Sequence, residues 1–459
     1  MTPTDQQSIS KCEAVVFLGV ATVIVALLQM LFYSVPTPVF DALRYIDYAL
    51  NIHEHGVFGT SGVRRELVPA PNYTSSPLYP AFLASAMWID PMLQETLHCI
   101  ASHHGPEVAS CSQNYFIAVL LQNMFAIGAL FFVWAASRVL FRRYSIALIA
   151  CVLVLASTKL LFFADRLLTE IIVLFLFAGL MFALVLARRS LKPWRVSVIG
   201  LVVGLLALTR PEYMYLGYTF MLAGIGITLV YRSKKTAIAT VYFVLSLGVV
   251  VGPWLARNYY HFDKPVITGG YGDVVIAHRT AYNRMSTREW AAAFIYWLPG
   301  HGELLARRFL PESSYARLGT GPDTYIHVDS KEIFDNGLAA VDGDRERLTS
   351  YLIQTEILNH PVKHAMISIP LAWRGVLAGK YLAIAGLPCA IILILSAARR
   401  RQMDILILAA PAAIMIALYA AISVSIPRYN VYLIYYYAIA CAWAVVGIVD
   451  FQRRRIITN

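Results

Sequence analysis

Apolar positions in this sequence run together for far longer than a strand or an amphipathic surface helix needs. A bilayer crossing takes about 20 predominantly apolar residues. Runs of that order lie near 13–34, 114–137, 145–164, 167–187, 194–210, 213–231, 236–256, 376–397, 404–426 and 429–450, and they predict an all-α polytopic membrane protein of about ten spans. The first run exceeds the core of a signal peptide. Only Lys11 precedes it and no small-residue cleavage site is evident, so it reads as a retained helix.

One further apolar stretch, Ser76–Leu93, is shorter than it looks: its uninterrupted part runs from Ala81 to Ile89 and stops at Asp90 and Pro91. It reads as an interfacial or re-entrant helix. Two large polar segments, 35–112 and 257–375, then lie on the same side of the membrane. The expected organisation is a module of seven spans over 1–256, an outer-face segment over 257–375, and three C-terminal spans over 376–459.

Composition agrees: 58% of the 459 residues are hydrophobic and 14% charged, where a soluble domain carries about 25% charged residues. The net charge of +11 has a topological cause. Basic clusters stand at Arg138/Arg142/Arg143, Arg188/Arg189/Lys192/Arg195, Arg232/Lys234/Lys235, Arg399/Arg400/Arg401 and Arg453/Arg454/Arg455, sixteen of the 38 Lys and Arg residues. Ten spans with both termini cytoplasmic place every cluster on the cytoplasmic side, as the positive-inside rule requires. The clusters are dispersed over loops rather than gathered in one stripe, which argues against a nucleic-acid partner.

The same topology collects the remaining charges at the opposite ends of the spans. Asp41, Arg44 and Asp47 follow the first span; Asp165, Arg166 and Glu170 lie in "FFADRLLTE"; Arg210 and Glu212 in "LALTRPEY"; Arg257 in "GPWLARNYY"; Arg428 in "SIPRYNVY". Single charges at helix ends often only anchor the interface, whereas carboxylates and arginines recurring together at these turns point to a shared site. A helix starting at Asp41, after Pro36 and Pro38, presents Asp41, Arg44, Tyr45 and Tyr48 on one face and turns Asp47 about 120° away. The plainer reading of Asp41 is a helix N-cap.

These residues resemble the polytopic GT-C glycosyltransferases, in particular the branch that contains the lipid A aminoarabinose transferase and the protein O-mannosyltransferases. There the helix after the first span opens with Asp-Glu-x-Arg-Tyr; this chain has Asp41-Ala42-Leu43-Arg44-Tyr45 and lacks the Glu. Further likenesses follow in family order: "SPLYPAF", "LLTE", "GLLALTRPE", "GPWLARNYYHFDKPV", "NHPVKHA" and "PRYNVYLIYYYA". Residues 285–350 match nothing in the pattern.

The resemblance implies an inverting transfer of a monosaccharide from a polyprenyl-phosphate donor to a glycan, lipid or protein acceptor, at the outer face of the inner membrane. Asp41 would be the general base, with Asp165 or Glu170 as a second acidic residue. On one continuous helix those two stand about 140° apart, so only one would face the site. Arg257, Arg428 and Arg210, in that order, are candidates for the donor phosphate, and Arg44, Tyr45 and Tyr48 for sugar or acceptor contacts. No cofactor is required, although Asp41 with either second carboxylate could ligate a divalent cation. The rival readings are a transporter or flippase of a lipid-linked sugar, which would carry its charges near the bilayer midplane, and a non-catalytic membrane scaffold.

Of the six cysteines, Cys12, Cys151, Cys389 and Cys441 lie in or beside spans, where thiols act as small apolar groups. Cys99 and Cys111 sit in the outer segment, where a disulfide is the simplest expectation and a zinc site with His98, His103 and His104 is the alternative. His53 and His55 face different ways on their helix, and Asn72-Tyr73-Thr74 fits a glycosylation sequon.

Overall fold

The structure, a computed structural model, describes residues 9–32, 34, 36–61, 68–103, 108 and 110–458. His104 lies outside them. Among the described residues there is no β-strand, only an isolated antiparallel bridge between Gly59 and Pro71. Among the described residues eight helices are long and apolar enough to cross a membrane, so the protein is a multi-pass membrane protein. The contacts divide the chain into two compact units, each described by itself below.

Unit 1 comprises Met1–Thr268, Ile394–Leu408 and Ala438–Asn459. It opens with α1 (Lys11–Phe32), α2 (Asp41–His55), α3 (Leu78–Ile89), α4 (Pro91–Ser102) and α5 (Phe116–Phe141). There follow α6 (Tyr144–Ala156), α7 (Lys159–Ala164), α8 (Glu170–Arg189), α9 (Pro193–Thr209), α10 (Met214–Tyr231) and α11 (Lys234–Phe262). The stretch Ser76–Leu93 is short, as its sequence predicts, and hinges into α3 and α4. Asp90 caps α4 by accepting from the Met92 N–H, with Pro91 at the first helical position.

Two of the ten expected spans are not among those eight. The run 145–164 is broken into α6 and α7 at Thr158, whose φ of +58° no helix continues through. The run 194–210 forms the 17-residue α9. Apolar periodicity does not show the break at Thr158, because the helices on both sides of it are mostly apolar.

Helix α8 is buried along nearly its whole length and forms the centre of the unit, flanked by α5 and α9. Helix α9 packs on α11 through Gly200 and Gly204; a Cβ at Gly200 would run into Ser246 Oγ and the Phe243 carbonyl. Small residues four apart let two membrane helices come close enough for dispersion to hold them. Helix α1 buries only Ala21 and Val25 and leaves its other apolar side chains outward, as a helix in lipid does.

Unit 2 comprises Gly269–Leu393 and Ala409–Tyr437. Its helices are α12 (Gly272–Ala281), α13 (Thr287–Tyr296), α14 (Gly302–Phe309), α15 (Asp329–Ala340), α16 (Arg345–Leu352) and α17 (Pro361–Val376). The chain then passes between the units along α18 (Tyr381–Arg399), α19 (Met403–Ile422) and α20 (Leu433–Thr458). A core of Tyr282, Tyr325, Leu318, Leu348 and Leu371 holds unit 2 together. Arg279 is fully buried there, donating to the Ala420 and His364 carbonyls, Asn283 Oδ1 and Ser368 Oγ. Four hydrogen bonds from the five N–H donors make such a buried cation tolerable. An ion network beside it joins Arg317 to Glu289 and Asp329, and Arg284 to Asp329 and Glu332.

Candidate functional site

Helix α2 carries Asp41 at its first position, following Phe40, whose φ of +49° places a bulky residue in the left-handed region. Such strain costs on the order of 1–3 kcal/mol and persists only where neighbours enforce it. Gly56 (φ +65°) ends the helix by returning its N–H to the Asn51 and Ile52 carbonyls. Asn51 fixes the chain beyond, donating to the Gly59 carbonyl at 2.8 Å and accepting from Ser61 Oγ at 2.7 Å.

On the exposed side of α2, Arg44 Nη2 stands 3.3 Å from Asp41 Oδ1, and both side chains are partly open to solvent. Tyr45, on the same face, is buried. Burial raises its phenol above the usual value; Arg210 and Arg44 pull it down, while Asp41 and Glu170 push it up. Tyr45 therefore stands in the field of four of the candidate residues. Tyr48 faces a different neighbourhood, with its hydroxyl 2.9 Å from Asn72 Oδ1 and 2.8 Å from Thr74 Oγ1.

Asp165 and Glu170 do not share a continuous helix. Asp165 ends α7 and Glu170 begins α8, with residues 166–169 non-helical between them. The 140° separation expected from one helix therefore does not apply, and both carboxylates are buried. Glu170 is fully buried with Oε1 3.4 Å from Arg210 Nη2, and Arg210 Nε lies 3.9 Å from Glu212.

Asp165 is held differently. Burial pushes its carboxyl up to about 6, while Gln29 of α1, the Ser34 backbone and Arg166 pull it down, and Oδ1 is buried with no hydrogen-bond partner. With a folded pKa above the unfolded value of 3.8, the native state keeps a proton that the unfolded chain releases between about pH 4 and 6. Stability falls as pH rises through that window. Asp165→Asn should abolish this slope and raise the midpoint of thermal unfolding at pH 8 but not at pH 4. Equal melting shifts at both pH values would mean that Asp165 is not titrating there.

A chain of contacts leads from Tyr45 to Asp165. The Tyr45 and Tyr79 rings meet edge to face at 5.3 Å, Tyr79 Oη donates to Gln122 Oε1 at 2.8 Å, and Gln122 Nε2 donates to the Ala164 carbonyl at 2.7 Å. Gln29, in turn, donates to Asn123 at 3.0 Å. Sequence reasoning missed Gln29, Tyr79, Gln122 and Asn123. The signal was there: Gln29 in "LLQM" and Gln122-Asn123 in "LLQNM" are polar side chains inside apolar runs, where a lone amide is costly unless paired.

Arg257 near the end of α11 donates to the Asn72 and Phe58 carbonyls at 2.7 and 3.0 Å and to Asn258 Oδ1 at 2.8 Å, with Trp254, Phe58 and Phe262 rings around it. It clamps both ends of the segment that follows α2. Hydrogen bonds to a charged group contribute about 1.5–3 kcal/mol. Arg257→Ala should speed proteolysis within 56–77, and Arg257→Lys should not restore protection, because one ammonium cannot reproduce the fork. Unchanged cleavage would remove this structural role. Arg428 stands in unit 2, in the short 3₁₀ turn Pro427–Asn430.

No protein-family model matches the chain, and no curated protein matches it. Among solved structures, the archaeal oligosaccharyltransferase AglB from Archaeoglobus fulgidus, in complex with an inhibitory peptide and a dolichol-phosphate, matches 96% of this chain at 13% identity with a TM-score of 0.51. The apo form of an Archaeoglobus fulgidus oligosaccharyltransferase matches 97% at the same identity and TM-score. The chain is similar in fold to an oligosaccharyltransferase. It spans about half the length of those proteins, 51% and 52%. ArnT from Cupriavidus metallidurans, bound to undecaprenyl phosphate, covers 93% of this chain and 76% of its own at 13% identity, with a TM-score of 0.36. The all-helical membrane fold expected from the sequence is thus one that solved oligosaccharyltransferase structures share.

The disulfide Cys99–Cys111 is formed and ties α4 to the lead into α5. His53 packs its ring near Trp88, 5.9 Å between centroids.

Proposed function

We propose that the protein is an integral-membrane glycosyltransferase that moves a monosaccharide from a polyprenyl-phosphate donor to a glycan, lipid or protein acceptor. The observation that carries this reading is a neighbourhood of ion pairs at helix ends in unit 1: Asp41 with Arg44 where α2 begins, beside Tyr45, and buried Glu170 with Arg210 where α8 begins and α9 ends. The oligosaccharyltransferase-like fold supports it. The five basic clusters support placing that neighbourhood on the outer face of the inner membrane.

In this reading the acceptor hydroxyl attacks the anomeric carbon as the bond from that carbon to the phosphate oxygen breaks. The polyprenyl phosphate leaves with the electron pair, and a single displacement inverts the configuration. Asp41 takes the hydroxyl proton, and Arg44 orients its carboxylate. The departing phosphate is a weak base whose charge needs stabilising more than protonating, a task suited to an arginine fork. With Arg44 engaged by Asp41, Arg210 is the other arginine of this neighbourhood, while Arg428 remains a candidate from the sequence pattern alone. Arg257 serves first as the clamp on the segment after α2. No divalent cation is needed for these steps, although Asp41 with Asp165 or Glu170 supplies the oxygen ligands that a hard cation takes.

The test is turnover by the purified protein in lipid nanodiscs, supplied with a panel of polyprenyl-phosphate sugars and envelope glycan, lipid and peptide acceptors. Transfer of the sugar with release of polyprenyl phosphate supports the reading. Translocation of the lipid-linked sugar between leaflets without transfer would replace it with a flippase.

A further inference from the structure

The end of α4 gathers a second chemical group that glycosyl transfer does not use. Glu95, Cys99 and His103 are spaced four apart, which puts them on one side of α4 and its cap. Cys111 arrives from the chain leading into α5. His103 Nδ1 donates to the Cys99 carbonyl at 2.8 Å and lies 3.7 Å from Cys99 Sγ and 4.0 Å from Cys111 Sγ. One ligand atom from each of Cys99, His103 and Cys111 falls within 4.8 Å of the others. A cavity of about 470 Å³ opens beside them, lined by Glu95, His98, Cys99, Ser102 and His103 among others.

A disulfide by itself does not need an imidazole against both sulfurs. A tetrahedral zinc ion does. Zn–S bonds of about 2.3 Å and Zn–N bonds of about 2.0–2.1 Å place sulfur and nitrogen ligands about 3.5 Å apart and two sulfurs about 3.8 Å apart. His103 already stands near that distance from both sulfurs, so only the sulfur–sulfur bond must open.

We propose that, once a dithiol reductant has opened Cys99–Cys111, this corner binds a thiophilic divalent cation such as Zn²⁺ through both thiolates and His103, with Glu95 or water as the fourth ligand. The reductant gives two electrons and two protons to the sulfur–sulfur bond and itself closes to a disulfide, leaving two thiols here. Binding the cation releases the two thiol protons, and the imidazole proton moves from Nδ1 to Nε2 as Nδ1 turns to the metal. The oxidised and metal-bound states exclude each other, because a disulfide sulfur carries no thiolate charge to offer. The corner is a redox-gated metal site, separate from the chemistry around Asp41.

Co²⁺ is the probe, titrated into full-length protein in nanodiscs after reduction with a phosphine. The expected result is one equivalent bound, with thiolate-to-metal charge-transfer absorption and the strong visible bands of a tetrahedral site. Zn²⁺ should displace it, and the oxidised protein should show none of it. Cys99→Ser with Cys111→Ser should abolish the signal, which excludes the four other thiols. His103→Ala keeps the disulfide, so its folding can be checked in the oxidised state, and it should weaken binding by at least about 10-fold. Reduced wild type without the thiolate absorption, or His103→Ala with unchanged affinity and spectrum, overturns the proposal.

Discussion

Asp41→Asn should lower the turnover number for glycosyl transfer by about 10²–10⁴-fold, the range a well-placed general base supplies, while leaving the KM for the lipid-linked donor within a few fold. The amide keeps the volume of the carboxylate and an oxygen that Arg44 can still reach across the present 3.3 Å, so α2 should form unchanged. What the variant loses is the capacity to take a proton as the acceptor oxygen attacks. A donor-binding role predicts the opposite pattern, a raised KM with turnover retained. Turnover equal to wild type under saturating donor and acceptor would remove Asp41 as the base.

Much of this site could be read from the sequence, for identifiable reasons. Asp41 and Arg44 lie on one short amphipathic helix, where a period of 3.6 residues alone decides which side chains share a face, and the structure pairs them across one turn. Long apolar runs likewise gave the membrane helices, because desolvation leaves little choice of structure in lipid. Reading failed where a fact depends on distant contacts. The non-helical residues 166–169 that part α7 from α8 have no local signature, so Asp165 and Glu170 looked like residues of one helix. The clamp by Arg257 depends on carbonyls 185 and 199 residues away along the chain. Unit 2 carried no recognisable string over 285–350, because its order comes from the Glu289–Arg317–Asp329–Arg284 network and a tyrosine-rich core.

The buried Glu170–Arg210 pair should give the largest stability effect in the molecule. Arg210→Met alone leaves a carboxylate that is 0% exposed without the guanidinium 3.4 Å from it, and breaking such a pair from one side costs about 3–5 kcal/mol. Glu170→Gln alone should cost less, since Arg210 keeps Glu212 at 3.9 Å and some access to solvent. Replacing both together, Glu170→Gln with Arg210→Met, should recover most of the loss, because no charge is then stranded. The recovery separates two roles that thermal unfolding alone would confuse. If the pair serves only packing, the double variant regains activity along with stability. If Arg210 meets the donor phosphate, the double variant melts near wild type but binds the polyprenyl-phosphate donor weakly, with affinity down by about 10-fold or more for the loss of a charge-assisted contact of 1.5–3 kcal/mol. A double variant that melts no higher than Arg210→Met would show instead that the pair is not the source of the penalty, and that Arg210 holds α9 by other contacts.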